Sequence, residues 1–172
     1  MKYVLIIFIT VFFTACTSSS LELTKDLSSE TKLLNSAKVW DKYKSKYKNS
    51  YYYTSDFVSY VGFGNETKIQ VQNGKAISRE YFEFNSKREK TYSYSEKIST
   101  LGLNKKGAKV KTIDALYKQC RNILDKKSEN TNIYLGFDKK GLLSYCLYSA
   151  KNCVDDCSLG VKIKNIEFNV IK

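Results

Sequence analysis

The chain has 172 residues, with 29 Lys or Arg against 17 Asp or Glu, which gives a formal net charge of +12. This length allows one compact domain with a sizeable core and is short for two. The sequence contains no His, the commonest general base and a common metal ligand, so hydrolytic triads and zinc catalysis are disfavoured. We therefore predict no catalytic residue, no metal site and no cofactor.

The first sixteen residues have the layout of an export signal. Lys2 supplies a positive start, residues 3–13 are almost entirely apolar, and small residues precede Cys16. The apolar run falls short of the roughly 20 residues that span a hydrocarbon core, so an uncleaved anchor helix is the weaker alternative. An ordinary signal peptide cut near Ala15 is the other alternative.

The segment Phe13-Thr14-Ala15-Cys16 resembles the lipobox at which bacterial lipoproteins are acylated and cleaved. The resemblance implies a signal peptide over residues 1–15, lipid attachment (palmitate or similar chains) at Cys16 and a cell-envelope location. If the organism is Gram-negative, Thr17 implies sorting to the outer membrane. Residues 16–29 are rich in Ser and Thr, and we predict a flexible tether there, followed by a single α+β domain over residues 30–172.

Hydrophobic periodicity predicts the elements of the first half. Apolar residues at intervals of three and four predict a helix over 30–48 that buries Trp40. An aromatic strand follows over 51–60. Alternation on both sides of Asn73-Gly74 predicts a two-residue hairpin whose returning strand extends to Phe84, because both turn positions require positive φ.

The second half predicts one more helix and further strands. A strand is expected at 91–95, and a second helix from the N-cap Thr112 to Lys127. Strands at 132–137 and 142–149 follow, and a phase change at Lys164-Asn165 predicts a β-bulge in the last strand. The predicted fold class is α+β, with an antiparallel sheet of about six strands covered by two helices, in helix-strands-helix-strands order.

Four cysteines besides Cys16 predict two disulfides, since an exported domain commonly meets an oxidising compartment. Three pairings are possible, and we favour Cys153 with Cys157 and Cys120 with Cys146. A four-thiolate zinc site is the alternative, but the paired C-x-x-C spacing is missing.

The positive charge indicates an anionic partner, although the lysines are dispersed and an AT-rich genome would produce the same composition. An exported chain seldom meets nucleic acid, so we predict no nucleic-acid partner. Membrane contact through the lipid anchor is expected, together with an envelope protein or an anionic envelope polymer.

Short motifs follow one another in order along the chain: Trp40 followed by Tyr52-Tyr53, residues 69–75, 112–116 and 137–141, and Asp155-Asp156 ahead of residues 161–168. In the order of these motifs, the chain resembles a bacterial envelope family known as a domain of unknown function, number sixty-one seventy-four. The resemblance implies a small secreted protein or lipoprotein and supplies no activity. The layout is also similar to β-lactamase-inhibitor-like and PepSY-like modules, which bind or inhibit proteins.

Two groups of carboxylates are candidates for chemistry. Glu80 and Glu83 could form the acid and base of a glycoside hydrolase, and Asp155-Asp156 could contribute to a calcium site. A solvent-facing strand edge and an Asp-stabilised turn are the simpler interpretations. We therefore predict a non-catalytic binding domain, with a carboxylate-dependent glycan enzyme and an inhibitor or immunity protein as alternatives.

Overall fold

A computed structural model of the protein describes residues 28–126, 128–153 and 157–168. The described chain contains two helices and eight strands, and a single 3₁₀ turn follows the fourth strand. In chain order they are α1 (Ser29–Lys46), β1 (Tyr51–Val58), β2 (Gly64–Gln72), β3 (Lys75–Phe84), β4 (Lys90–Lys97), the 3₁₀ turn (Ile98–Thr100), α2 (Ile113–Asp125), β5 (Thr131–Phe137), β6 (Leu143–Ala150), β7 (Leu159–Lys162) and β8 (Asn165–Glu167).

The strands form two antiparallel sheets. One has five strands in the order β4-β3-β2-β1-β8, and the other has three in the order β5-β6-β7. The α+β class and the helix-strands-helix-strands order are confirmed. The single sheet of about six strands is replaced by eight strands divided between two sheets.

Both helices begin at side-chain caps. The Ser28 hydroxyl accepts a hydrogen bond from the Thr31 amide at 3.2 Å, and the Thr112 hydroxyl accepts one from the Ala115 amide at 3.3 Å. These bonds satisfy amides that have no partner within the first helical turn. Trp40 on α1 is buried, as predicted, and its Nε1 donates to Asp114 Oδ1 on α2 at 3.1 Å. The caps define where each helix begins, and the bond from Trp40 to Asp114 links the two helices.

The turn between β2 and β3 is the predicted Asn-Gly hairpin. Asn73 has φ +48° and Gly74 has φ +78°, the positive pair that a type I′ turn requires. The Gly74 amide donates to Asn49 O at 2.8 Å, and the Asn73 amide donates to Ser50 Oγ at 3.0 Å. The hairpin is thus attached to the connection between α1 and β1.

The phase change near Lys164 marks the point where the chain passes from one sheet to the other. The Ile163 amide donates to Ser144 O at the small sheet, whereas the Lys164 amide donates to Thr54 O in β1, each at 2.7 Å. The predicted β-bulge at this position is therefore wrong. Val161 and Ile163 are buried before the crossing, and Ile166 is buried after it. The alternation of apolar residues therefore changes phase at the point where the chain changes sheets.

One hydrophobic core serves both sheets and both helices. α2 contributes residues to it from Ile113 to Leu124 and is joined to β6 by the disulfide Cys120–Cys146, whose Cα atoms are 5.5 Å apart. The core residues include Leu33, Trp40, Tyr51, Tyr53, Ile69, Val71, Ile113, Leu116, Cys120, Leu142, Leu143, Cys146, Val161, Ile163 and Ile166.

Candidate interaction surface

The loop between β1 and β2 exposes large apolar side chains. We call residues 57–63 the apolar tip. Tyr60 is fully exposed, Val61 is 64% exposed and Phe63 is 51% exposed, with Phe57 and Val58 also exposed. Five of the thirteen exposed large hydrophobic residues in the described chain lie in this seven-residue segment. Clustered exposed apolar residues typically mark a binding surface, whereas single ones need no explanation.

Hydrogen bonds close the apolar tip into a defined turn. The Ser59 amide and hydroxyl both donate to Phe63 O, at 2.8 and 3.0 Å, and the Gly62 amide donates to Ser59 O at 3.0 Å. Gly62 has φ +92°, a value that L side chains rarely adopt. The aromatic side chains therefore project from a closed backbone.

A basic turn lies beside the apolar tip. We use this name for residues 85–90, which connect β3 and β4 and carry Lys87, Arg88 and Lys90. A Cβ atom placed on Gly62 would be 3.5 Å from the Cα of Ser86, which shows how closely the two turns approach. Together the two turns form one end of the five-stranded sheet.

The side chain of Asn85 organises the basic turn. Its Oδ1 accepts from the amides of Lys87 and Glu89, both at 3.0 Å, and its Nδ2 donates to Glu89 Oε2 at 2.7 Å. In the described chain, none of Lys87, Arg88 and Lys90 has an ion-pair partner. The turn therefore presents three cations against the one carboxylate of Glu89.

Phe84 lies at the end of β3, directly before the basic turn, and contacts the start of β2, the strand that follows the apolar tip. Phe84 is buried, and a side chain on Gly64 would collide with its ring and with the Phe57 carbonyl. The Arg88 guanidinium lies over the Phe84 ring, 4.5 Å from its centroid. Such a cation–π contact helps to hold Arg88 at this end of the sheet.

The acidic residues of the neighbouring strands are paired. Glu66 on β2 forms an ion pair with Lys164, and Asp56 on β1 forms one with Lys162 at 3.2 Å. The two lysines neutralise these negative charges locally. The charge that remains at this end of the sheet is positive.

A buried ion pair between β3 and β4 holds the segment that follows β4 against the five-stranded sheet. Arg79 on β3 and Glu96 on β4 are 2% and 1% exposed, and Arg79 Nε donates to Glu96 Oε2 at 2.9 Å. We call residues 98–112 the strap. Glu96 accepts from the Gly102 amide at 2.8 Å and the Asn104 amide at 2.7 Å, and Arg79 donates to the carbonyls of Asn104 and Ala108.

Burial disfavours ionisation of Glu96, but the hydrogen bonds from Arg79, Asn104 and Gly102 outweigh it and lower its pKa to about 2. Glu96 is thus an ionised structural residue. The Arg79–Glu96 pair was not predicted from the sequence. The sequence feature that could have indicated it is the position of Arg79 in the same alternating phase as Ile77 and Tyr81. A charged residue on that face must meet an opposite charge on the next strand.

The candidate carboxylates Glu80 and Glu83 do not come together. They are three residues apart on β3, so their side chains point to opposite faces of the sheet. Glu80 lies beside Gln70 and Ser78 on one face, whereas Glu83, on the other face, accepts from Lys106 and from the Tyr81 hydroxyl, each at 2.8 Å. The bond from Lys106, with that from Tyr81, lowers the pKa of Glu83. These two residues cannot flank one glycosidic bond as acid and base.

The structure pairs Cys120 with Cys146 and Cys153 with Cys157, as predicted. Cys16 and Asp155-Asp156 lie outside the described residues, as does the signal peptide. Among residues 28–126, 128–153 and 157–168, no cluster of three His, Cys, Asp or Glu could hold a metal ion. Within the same ranges, no helix has the length and apolar character needed to cross a membrane.

A groove of about 560 Å³ lies between α2 and the small sheet. Its apolar wall is formed by Ile123, Ile133, Tyr148 and Leu159, and Lys126 is the one charged residue in its described lining. Polar side chains of Gln119, Asn122, Lys126 and Thr131 line the same groove. The apolar tip is the stronger candidate because five large apolar side chains are exposed together there, whereas only Tyr148 and Leu159 of the groove are exposed large apolar residues.

The apolar tip was not predicted as a surface. Its signal was a run from Phe57 to Phe63 with apolar residues in both phases, more than one face of a strand can bury. Comparison of the chain with protein-family models, with curated proteins and with solved structures finds no match. The resemblance to the envelope family stays a prediction, and function has to be argued from these residues.

Proposed function

We propose that the chain is a bacterial envelope lipoprotein, attached through acylated Cys16, whose domain is a non-catalytic binding module. The binding surface in this proposal is the apolar tip with the basic turn. The observation that carries the proposal is the closed apolar tip, whose aromatic side chains are exposed together. Keeping them in water is unfavourable, and a partner that covers them recovers that free energy.

The disulfides and the N-terminal pattern support the envelope location together. Both cysteine pairs are bonded, and disulfides persist in oxidising compartments such as the periplasm or the cell surface. The export signal and the lipobox at Cys16 supply the route to that compartment. Two acyl chains at one cysteine anchor a protein stably without a transmembrane helix.

The anchor is tested by the intact mass of the protein extracted from bacterial membranes. We expect a mass that lacks residues 1–15, carries acyl chains and includes two disulfides. The matched control is Cys16→Ser, which should lose the acyl chains and leave the membrane fraction. An unacylated wild-type chain in the soluble fraction, beginning elsewhere than Cys16, would contradict the lipoprotein proposal.

The non-catalytic assignment is tested with purified cell-wall and surface glycans. We expect no turnover by the wild-type protein. Turnover that is abolished by a single Glu or Asp substitution, with the fold intact by circular dichroism, would favour the enzyme alternative. An inhibitor role remains the other alternative, although a domain with a net charge of +11 after removal of Lys2 is poorly matched to basic lysozymes.

A further inference from the structure

We propose that the apolar tip inserts into the interface of an anionic lipid bilayer while the basic turn contacts the head groups. This inference rests on the proposed function and names the partner of the same surface. It gives the domain a second membrane contact besides the acyl chains on Cys16, so the domain would lie against the bilayer rather than hang from its tether.

The side chains of the apolar tip suit a membrane interface. Tyr60 and Phe63 are aromatic residues of the kind enriched where head groups meet hydrocarbon, and Val61 projects beside them. The one polar side chain between Val58 and Gly62 other than Tyr60 is Ser59, whose hydroxyl already donates to a backbone carbonyl. Insertion would therefore bury apolar groups without leaving that hydroxyl unpaired.

The shape of this surface favours a bilayer over a protein. The apolar tip is a narrow turn at the end of two strands, whereas a standard protein interface buries about 800 Å² on each partner. A bilayer needs no complementary pocket, because a short apolar projection can sink into it at any position.

The charge beside the apolar tip matches an anionic surface. Lys87, Arg88 and Lys90 have no ion-pair partners in the described chain, and Glu89 is the only carboxylate of the basic turn. Each basic residue near an anionic membrane contributes about 1 kcal/mol, or roughly a fivefold gain in partitioning. Head-group binding and apolar insertion therefore act at the same end of the sheet.

The tether keeps the domain near the membrane. Ser28 lies twelve positions after Cys16, and a fully extended chain over that span reaches at most roughly 40 Å. An acylated Cys16 would hold the apolar tip at a high effective concentration near the bilayer, so a weak contact suffices.

The test uses Val61→Trp in the mature acylated protein, reconstituted into vesicles of phosphatidylcholine and phosphatidylglycerol with brominated acyl chains. Bromine quenches tryptophan only at close range, and the native Trp40 is buried in the protein core. The matched control is Leu103→Trp, at a strap position that is 70% exposed. We expect strong quenching for Val61→Trp and little for Leu103→Trp or the wild type.

Charge dependence provides the second arm. Lys87→Gln, introduced into Val61→Trp, should reduce the inserted-to-free ratio roughly fivefold, and pure phosphatidylcholine vesicles should do the same or more. Lys38→Gln and Lys118→Gln, on exposed helix positions, make the same charge change and should have little effect. Arg88 and Lys90 are left intact because they lie over the rings of Phe84 and Phe82.

The outcomes separate this inference from the proposed function. An acylated, vesicle-bound chain in which Val61→Trp is quenched no more than Leu103→Trp would overturn bilayer insertion and leave the lipoprotein proposal intact. Crosslinking of the apolar tip to a protein, without such quenching, would also overturn bilayer insertion. If the chain proves unacylated, the same fluorescence comparison with added anionic vesicles still decides insertion. Tyr60→Trp serves as a second reporter if Val61→Trp misfolds.

Discussion

At the scale of single residues, the Arg79–Glu96 pair has the largest consequence for the fold. Its two side chains are almost completely buried and together bond to the strap at Gly102, Asn104 and Ala108. A buried ion pair is expensive to desolvate, and its geometry must satisfy most of the polar atoms to recover that cost. Here the backbone of the strap provides those partners, so the pair fixes where the strap lies.

Arg79→Met should destabilise the protein by about 3 to 5 kcal/mol, because it leaves the Glu96 carboxylate buried without its cation. Urea unfolding at neutral pH measures the loss. The control is Lys164→Met, which removes the 45% exposed partner of Glu66 and should cost less than about 1 kcal/mol. Equal losses for the two variants would show that the buried pair does not hold the strap.

The low pKa of Glu96 predicts an acid-dependent loss of stability. The unfolded carboxyl has a pKa near 4.5, whereas the folded one is lowered to about 2. Between these values the unfolded state binds more protons, so the contribution of Glu96 is complete above about pH 4.5 and declines as the pH falls toward 2. The unfolding free energy, followed from pH 6 to pH 2, should decline less steeply in Glu96→Gln. Parallel curves for the two proteins would exclude this linkage.

At the scale of secondary-structure elements, locally encoded features were predictable and pairings between distant segments were not. Thr112 and Asn73-Gly74 determine their helix start and hairpin turn through neighbouring residues alone, and both were predicted. The pairing of Thr54 with Asn165 depends on segments far apart in the chain, so the division into two sheets was missed. The apolar tip was missed because its exposure depends on whether other segments of the chain pack over it. Hydrophobic periodicity within the tip carries no information about that packing.

The two disulfides should differ in their contribution because they close loops of different length. Cys120–Cys146 joins α2 to β6 across 26 positions, whereas Cys153–Cys157 spans four. Loop-closure entropy gives about 3.5 kcal/mol for the long loop and about 2 kcal/mol for the short one. Urea unfolding of the double variants Cys120→Ala/Cys146→Ala and Cys153→Ala/Cys157→Ala measures the two values. The reverse order would show that native-state packing, rather than chain entropy, determines the difference.

At the scale of the whole molecule, the chain between β7 and β8 connects two sheets that share one core. Successive amides at Ile163 and Lys164 donate to different sheets, and the side chains of Ile163 and Ile166 both enter the shared core. Opening the small sheet alone would pull Ile163 out of that core and strain the adjacent bond from Lys164 to Thr54. The two sheets are therefore mechanically linked at a single peptide unit.

This linkage predicts that the two sheets unfold together. In native-state hydrogen exchange, the amides of Ile163 and Lys164 should open with similar free energies, close to that of the central β2 amide of Ile69. The reason is that partial opening would expose the Cys120–Cys146 region and the buried ends of both sheets at once. Ile163→Ala should lower all three opening free energies by a similar amount, whereas Leu159→Ala, at a 61% exposed position on β7, should leave them nearly unchanged. A small sheet that exchanges at much lower free energy than Ile69 would show that its strands form a separate unfolding unit, and the chain crossing at Lys164 would then be a connection without cooperative consequence.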